Sequence, residues 1–273
     1  MHYIRKALKD YKFLCMFFLA SSIILMVIFA PLIANYDPIY QNYEKILQAP
    51  NSEYLFGTDY AGRDIFSRVL YGGRISLLIA LVVTFFVTII GITVGLVSGY
   101  IGGIFDIVVN RFIDMIMSIP YLVFVIAFVS IFGTNLKNLI FAMTIISWTN
   151  YARVSCSMTK ILKNEDFIIQ AKIGGANNFR IIMSYLIPNI LPHLLVMSTQ
   201  DIANNLLILS SLSLLGAGSP PPTPEWGFML IEGKKYMQTA PWLLLFPGLA
   251  IFTCVVIFNL LGDSLRDVLD PKN

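Results

Sequence analysis

Apolar residues along this chain gather into six long runs, at 13–34, 77–100, 107–132, 139–154, 191–215 and 242–261, separated by more polar segments. A bilayer-spanning helix needs about 20 mostly apolar residues, and none of the runs alternates as a barrel strand does. The pattern predicts an all-α membrane protein with six transmembrane helices. Arg5, Lys6, Lys9 and Lys12 precede the first run as they would a secretory signal. Its apolar stretch exceeds the roughly 7–15 residues of a signal core and lacks a small-x-small cleavage site, so it reads as a retained anchor.

Lysine and arginine set the orientation. With the N-terminus inside, the inner segments hold 12 of these residues, among them Arg111, Arg153, Lys160, Lys163, Lys172, Arg180 and Arg266, and the outer segments hold 7. Both termini are therefore expected in the cytoplasm. The organisation that follows is a cytoplasmic N-terminus at 1–12, a first transmembrane helix at 13–34 and an extracytoplasmic loop at 35–76. A five-helix core at 77–262 carries a cytoplasmic loop at 155–188, and the C-terminus at 263–273 is cytoplasmic. The inner loop has its own apolar face (Phe167, Ile168, Ala171), which reads as a docking surface rather than a connector.

Composition narrows the class. Hydrophobic residues make up 57% of the 273 and charged residues 13%, with a mean hydropathy of +0.74. Soluble domains carry about 25% charged residues, so a soluble enzyme is excluded, and a net charge of +3 is too small to imply a nucleic-acid partner. Cys15, Cys156 and Cys254 and the two histidines, His2 and His193, show no metal or disulfide spacing, so no fixed metal site is expected.

Few residues offer chemistry. Gly57 and Gly62 have the spacing of a phosphate loop, but Arg63-Asp64 follow where Lys-Ser/Thr would be needed, so this chain is not expected to hydrolyse ATP. Gly91, Gly95, Gly99 and Gly103, four apart, fall on one helical face and invite a close helix neighbour. In the fifth run, Gln200, Asp201, Asn204 and Asn205 form a polar stripe, with Gln200–Asn204 and Asp201–Asn205 each sharing a face. Asp201 lies 13 residues past Pro188, about 20 Å of helix rise. A carboxylate that deep in hydrocarbon marks a pathway or a buried partner, and interhelical hydrogen bonding is the alternative. Asp106, Asn110, Asp114 and Arg111, like Asp263, Arg266 and Asp267, read as structural ion-pair clusters.

Four segments carry a resemblance. They are Phe56-Gly-Thr-Asp-x-x-Gly-Arg-Asp-x-x-Ser-Arg68, Gly99-Tyr-x-Gly-Gly-x-x-Asp106, Ser211-Leu-Ser-Leu-Leu-Gly-Ala-Gly-Ser-Pro-Pro-Pro-Thr-Pro-Glu-Trp-Gly227 and Asn259-Leu-Leu-Gly-Asp-Ser-Leu-Arg-Asp-x-Leu-Asp-Pro271. In order and spacing, over nearly the whole chain, they resemble the permease subunits of bacterial dipeptide/oligopeptide/nickel ABC importers. The resemblance implies a type I ABC importer permease fold in the bacterial plasma membrane. It implies as partners a homologous second permease, two ABC ATPase subunits and an extracytoplasmic substrate-binding protein. ATP would be used by the partners, with no cofactor bound by this chain. Such permeases carry a coupling segment E-A-A-x-x-x-G-x9-I-x-L-P that docks on the ATPase. Ala171, Gly175 and Pro188 match it, Gln170 replaces the first alanine, and Ile169 replaces the glutamate. Asp59, Arg63, Asp64, Glu225 and Trp226, in the outer motifs, are the candidates for binding-protein docking or an outer gate.

For substrate, Asp201 and the Trp148-Thr-Asn-Tyr-Ala-Arg153 and Gln200-Asp-Ile202 stretches look like nickel-type members. Nickel or a metal chelate is the expected cargo, with short peptides as the alternative. A carboxylate would serve a metal ion or a peptide's ammonium terminus. An ATPase-independent channel or secondary transporter is the reading of another class, against which stand the amphipathic inner loop and the lack of a visible inverted repeat. Cysteines placed at Lys45 and Lys235 should react with an impermeant thiol reagent from outside, and those at Lys163 and Lys272 from inside only. Inside-only labelling at Lys45 would overturn the orientation.

Overall fold

The computed structural model describes residues 10–218 and 222–269. Arg5, Lys6, Lys9, Lys272, the residues 219–221 of the proline-rich motif and the end of the last motif lie outside the described residues. Helix α1 spans Tyr11–Ile28, started by Asp10, whose carboxylate accepts from Lys12 N at 2.9 Å and Phe13 N at 3.1 Å. A single helical turn at Ala30–Ile33 and an irregular segment lead to Asp64. Helix α2 then runs over Ile65–Ile101, 37 residues. The non-helical part of the expected 35–76 loop thus ends at Asp64, because Asp64 caps a helix that starts three turns before the apolar run does.

Helices α3 (Gly103–Met117) and α4 (Tyr121–Phe132) meet at a bend of 79°. The sequence predicted one straight span at 107–132, and Pro120 is the reason it is two. Proline has no N–H for the ladder and pushes Ile119 out of the helical region. Helix α5 spans Leu136–Leu162, capped by Asn135. A short helix α6, Asp166–Ile173, precedes a turn at Asn178–Ile181 and a widened π turn at Ile182–Leu186, which runs straight into α7 (Ile187–Leu214). The ladder widens where Pro188 offers no N–H to the carbonyl four residues back. Helices α8 (Trp226–Lys234) and α9 (Trp242–Leu269) complete the bundle.

By length and composition, α1, α2, the Asn178–Leu214 helix and α9 can each cross a membrane, making four spans, or five with the bent α3–α4 pair. The predicted six is not reached on that measure. Helix α5 falls outside the set despite its 27 residues, about 40 Å of rise, because Thr144, Ser147, Thr149, Asn150 and Arg153 dilute its apolar face.

Residue pairings give the helix directions. A Cβ placed on Gly91 would meet Trp148 O at 2.8 Å, on Gly95 Ser155 Cβ at 2.8 Å, and on Gly99 Cys156 O at 2.6 Å. The partners climb in step with the glycines, so α2 and α5 run parallel, backbone against backbone. The chain must return between them, which α3 and α4 do together. Helix α7 is antiparallel to α2, with Asn205 on Thr84 and Ser213 joined through Glu225 to Ser76. Helix α9 is antiparallel to α7, with Gly262 against Gln200. Two buried clusters form the core, one from α2, α4, α5 and both ends of α7 (Ile79, Val83, Val125, Met143, Leu194, Leu209), the other around α8, α9 and the middle of α7 (Ala203, Leu206, Trp226, Cys254, Phe258). The outer faces stay apolar (Phe18, Phe85, Ile131, Phe252), as lipid or a second subunit requires.

The contact of α2 with α5 generates a test. Gly95→Val should destabilise the detergent-purified chain by about 1–3 kcal/mol through overpacking. Gly248→Ala should cost nothing, since its Cβ would meet only Leu230 Cδ2 at 3.9 Å. Thermal unfolding of both variants against the parent checks the pair, and an unharmed Gly95→Val would deny that the backbones touch.

Candidate functional site

Three groups of residues concern function: a charged cap, a polar patch at mid-helix and an exposed loop at the opposite end.

The cap forms where residues 42–64 fold over the start of α2 and against α8. Gly57 and Gly62 both have positive φ, and a Cβ on Gly62 would collide with the Asn42 backbone, so these glycines serve a tight fold. Asp59 accepts from Ala61 N at 2.8 Å and Arg63 N at 3.0 Å, and its other oxygen pairs with Arg63 Nε at 2.6 Å. Backbone N–H groups that a phosphate would use are thus already taken by Asp59. Arg68 Nε lies 3.5 Å from the same carboxylate. Glu232 of α8 closes the cluster, receiving Arg63 Nη2 at 3.2 Å, Arg68 Nη2 at 2.8 Å and the Tyr60 hydroxyl. Two guanidinium groups face two carboxylates, and Arg68 is 1% exposed. Burial would lower the Arg63 guanidinium, but Asp59 and Glu232 outweigh it and hold the group above its ordinary value. The sequence reading missed Glu232, whose one signal is an acid in a short helix whose other charge is Lys234 at its end.

Beside this cluster, Asp64 caps α2 by accepting from Ser67 N at 2.8 Å and Ser67 Oγ at 2.6 Å. Glu225 caps α8 through Gly227 N at 2.7 Å and Phe228 N at 2.9 Å, and also accepts from Ser213 Oγ at 2.6 Å and Ser76 Oγ at 3.2 Å. Burial pushes its carboxyl above the usual range, opposed by those hydrogen bonds. Trp226 slots over Gly72 and Gly73 and donates its ring N–H to Val69 O at 2.7 Å. Asp59, Arg63, Asp64, Glu225 and Trp226 are all between 0% and 4% exposed. In this conformation none of them presents its side chain to a docking protein. They tie the loop before α2, α2 itself, α7 and α8 into one unit.

The polar stripe of α7 divides. Gln200 donates to Asp263 of α9 at 3.1 Å, and buried Asn205 donates to Thr84 of α2 at 3.0 Å, so both are interhelical ties. Asn204, which is exposed, donates to Asp201 at 3.3 Å. The bond within the stripe thus joins residues three apart. Asp201 faces Tyr151 of α5, beside Thr88 of α2, with Tyr121 of α4 nearby. Those three residues were not singled out from sequence, since a lone hydroxyl in an apolar run carries no positional signal.

At the opposite end Asp106 of α3 receives Lys160 at 2.6 Å, with Ser98, Asn110 and Cys156 around it, and Asp114 receives Arg153 at 2.6 Å. These pairs join α3 to α5. Helix α6 ends in a Schellman turn, in which Ala176 N bonds Ala171 O and Gly175 N bonds Lys172 O, both at 3.0 Å. Gly175 has φ +81° and nothing within 4 Å of where a Cβ would stand. Around the turn Ile173 is 82% and Phe179 70% exposed, with Gln170 and Pro188 also exposed and Ala171 half-buried. Lys163 Nζ on Gly99 O at 3.0 Å and the Tyr100 hydroxyl on Asn178 at 2.7 Å tie this loop to the end of α2.

The family described as binding-protein-dependent transport system inner membrane component matches residues 91–273. The chain is 39% identical over 252 residues to the dipeptide transport system permease protein DppC of Alkalihalophilus pseudofirmus, covering 92% of this chain and 83% of the relative. It is 41% identical to DppC of Haemophilus influenzae over 91% of this chain and 86% of the relative. It is 43% identical to the glutathione transport system permease protein GsiD of Shigella flexneri over 92% and 83%. Among solved structures, an inward-facing MetNI methionine ABC transporter chain aligns with TM-score 0.60 at 19% identity, covering 76% of this chain and 98% of that one. That likeness is one of fold.

The cap can be tested by its central acid. Glu232→Ala leaves two buried guanidinium groups short of a partner, and removing one member of a buried pair costs about 3–5 kcal/mol. Glu53→Ala, which breaks the exposed Lys45–Glu53 pair, should stay within about 0.5 kcal/mol. Equal effects in thermal unfolding of the two variants would refute the cluster as the bond between cap and bundle.

Proposed function

This chain belongs to the family of binding-protein-dependent transport system inner membrane components, and from that premise we propose that it is the permease subunit of a bacterial plasma-membrane ABC importer for dipeptides or other short peptides. What carries the substrate class is identity of 39–43% over more than nine-tenths of the chain with permeases named for dipeptide and glutathione transport. Nickel, the cargo expected from Asp201 and the flanking motifs, finds less support. Around Asp201 stand hydroxyl and amide groups rather than the imidazoles and thiols that hold a transition metal.

In this reading ATP is bound and hydrolysed by two partner subunits. The α6 loop takes up their motion through Ile173, Phe179 and the turn at Gly175, with Gln170, Ala171 and Pro188 shaping the surface. A second permease completes the path, and an extracytoplasmic binding protein delivers cargo at the cap end. The buried Asp59–Arg63–Arg68–Glu232 cluster makes the cap and α8 move as one outer gate, with Asp64, Glu225 and Trp226 as its internal joints. Alternating access then tilts rigid units, because breaking the cluster would strand buried charge.

A tagged chain drawn from its own membranes should bring ABC ATPase subunits with it, and the assembled complex should import a dipeptide in preference to nickel. Gly175→Asp should leave the chain in the membrane, since no atom obstructs the side chain. A non-glycine residue at this left-handed φ costs roughly 1–2 kcal/mol, enough to reshape the turn and cut substrate-stimulated ATP hydrolysis. A normal stimulated rate in Gly175→Asp would remove the loop from coupling, and nickel uptake without dipeptide uptake would reverse the substrate assignment.

A further inference from the structure

Asp201 has no cationic partner of its own. Among the described residues no Lys, Arg or His comes within 4.0 Å of it, and its one donor in good geometry is Asn204. Around it, three further polar atoms are buried without a hydrogen-bond partner: Tyr151 OH, Tyr121 OH and Thr88 Oγ1. Among the described residues, no other buried side-chain nitrogen or oxygen lacks a partner. Tyr151 is 0% exposed, and its hydroxyl stands next to both Asp201 and Thr88 without bonding either in good geometry. A buried hydroxyl without a partner is destabilising, and a carboxylate without a cation inside a membrane helix is costlier still. Three helices, α2, α4 and α5, thus each bring one unpartnered hydroxyl to the neighbourhood of Asp201 on α7, with Tyr121 beside Ser147 the most distant of them. Packing alone does not call for this, because phenylalanine at 121 and 151 and valine at 88 would fill the same volume.

We propose that Asp201, Tyr151, Thr88 and Tyr121 form a subsite for a primary ammonium group, which the peptide's N-terminus occupies during passage. This rests on the peptide-importer reading and names the part of the cargo that the bundle recognises. An ammonium group has three N–H donors and no acceptor. One carboxylate and nearby hydroxyl oxygens supply acceptors of the right kind and cancel its charge. Asn204, exposed on the same side of α7, marks the way in. The other two members of the stripe, Gln200 and Asn205, are already engaged with Asp263 and Thr84 and take no part.

The test uses the complete importer in lipid vesicles, with Asn204→Cys as reporter in a Cys15→Ser background. The rate of thiol modification at position 204 is followed without binding protein, with glycyl-leucinamide or its N-acetyl form added. The free amine should slow modification and the acetylated compound should not. Asp201→Asn should raise the half-protecting concentration about tenfold or more, the scale of one lost charge-assisted hydrogen bond. Tyr151→Phe should raise it several-fold while leaving the complex no less stable, because the hydroxyl has no structural partner to lose. Equal protection by both compounds, or unchanged protection in Asp201→Asn, would overturn the subsite. So would a position 204 that never reacts, the result expected if a cation or surface of the second permease covers Asp201. Dipeptide uptake by the same vesicles, with ATP and binding protein, separates the two readings. Normal uptake without selective protection sinks the subsite and spares the importer, whereas absent dipeptide uptake with nickel uptake sinks the peptide assignment itself.

Discussion

Parallel contact of α2 with α5 fixes most of what matters in this bundle. In lipid there is little hydrophobic force between helices, so association depends on how closely two backbones can approach. Gly91, Gly95 and Gly99 remove the side chains that would hold α5 off, and Trp148, Ser155 and Cys156 take the space. The register follows from that contact. It places Tyr151 against the glycine at 91, and hence beside Thr88 one turn earlier on α2. It also makes the two helices parallel, so that α3 and α4 have to carry the chain back.

The same constraint explains where polar groups collect. A bundle without water in its interior must satisfy its charges internally, and the chain does so at both ends. At the cap, Arg63 and Arg68 meet Asp59 and Glu232. At the α6 end, Asp106 meets Lys160, and Asp114 meets Arg153. Between them, among the described residues, the buried polar atoms left without a partner all lie around Asp201, which sets that patch apart from the structural pairs. The bundle thus has a rigid cap, an exposed loop at the other end and an incompletely satisfied patch between them.

The geometry shows which of the expected outer-motif residues serve the packing of the bundle. Asp64, Glu225 and Trp226 were expected from the outer motifs to dock a binding protein or form a gate, yet each is buried and spends its hydrogen bonds on helix starts and on neighbouring helices. Their role is to hold α2, α7 and α8 at fixed angles. The surface that stays open at the α6 end is instead one of exposed apolar residues, such as Ile173 and Phe179.

Hydropathy along the chain was enough to determine that it is helical and membrane-embedded, because burial in lipid acts on each run of residues separately. Gly175 was singled out by its match to a family segment and Asp201 by the cost of a carboxylate in a span, and each is a signal that needs no distant partner. The bend at Pro120 has a local cause, yet it was hidden by the apolar run that continues across it. Pairing was decided only by the tertiary structure. Glu232 lies 164 residues from Arg68, and Thr84 lies 121 from Asn205. Nothing within a few residues of either signals its partner. Whether Gln200 and Asn205 tie helices or line a path depends on the rotation of α7 against α2 and α9. That rotation is set by interlocking surfaces such as Gly262 on Gln200, which exist only once the helices are side by side.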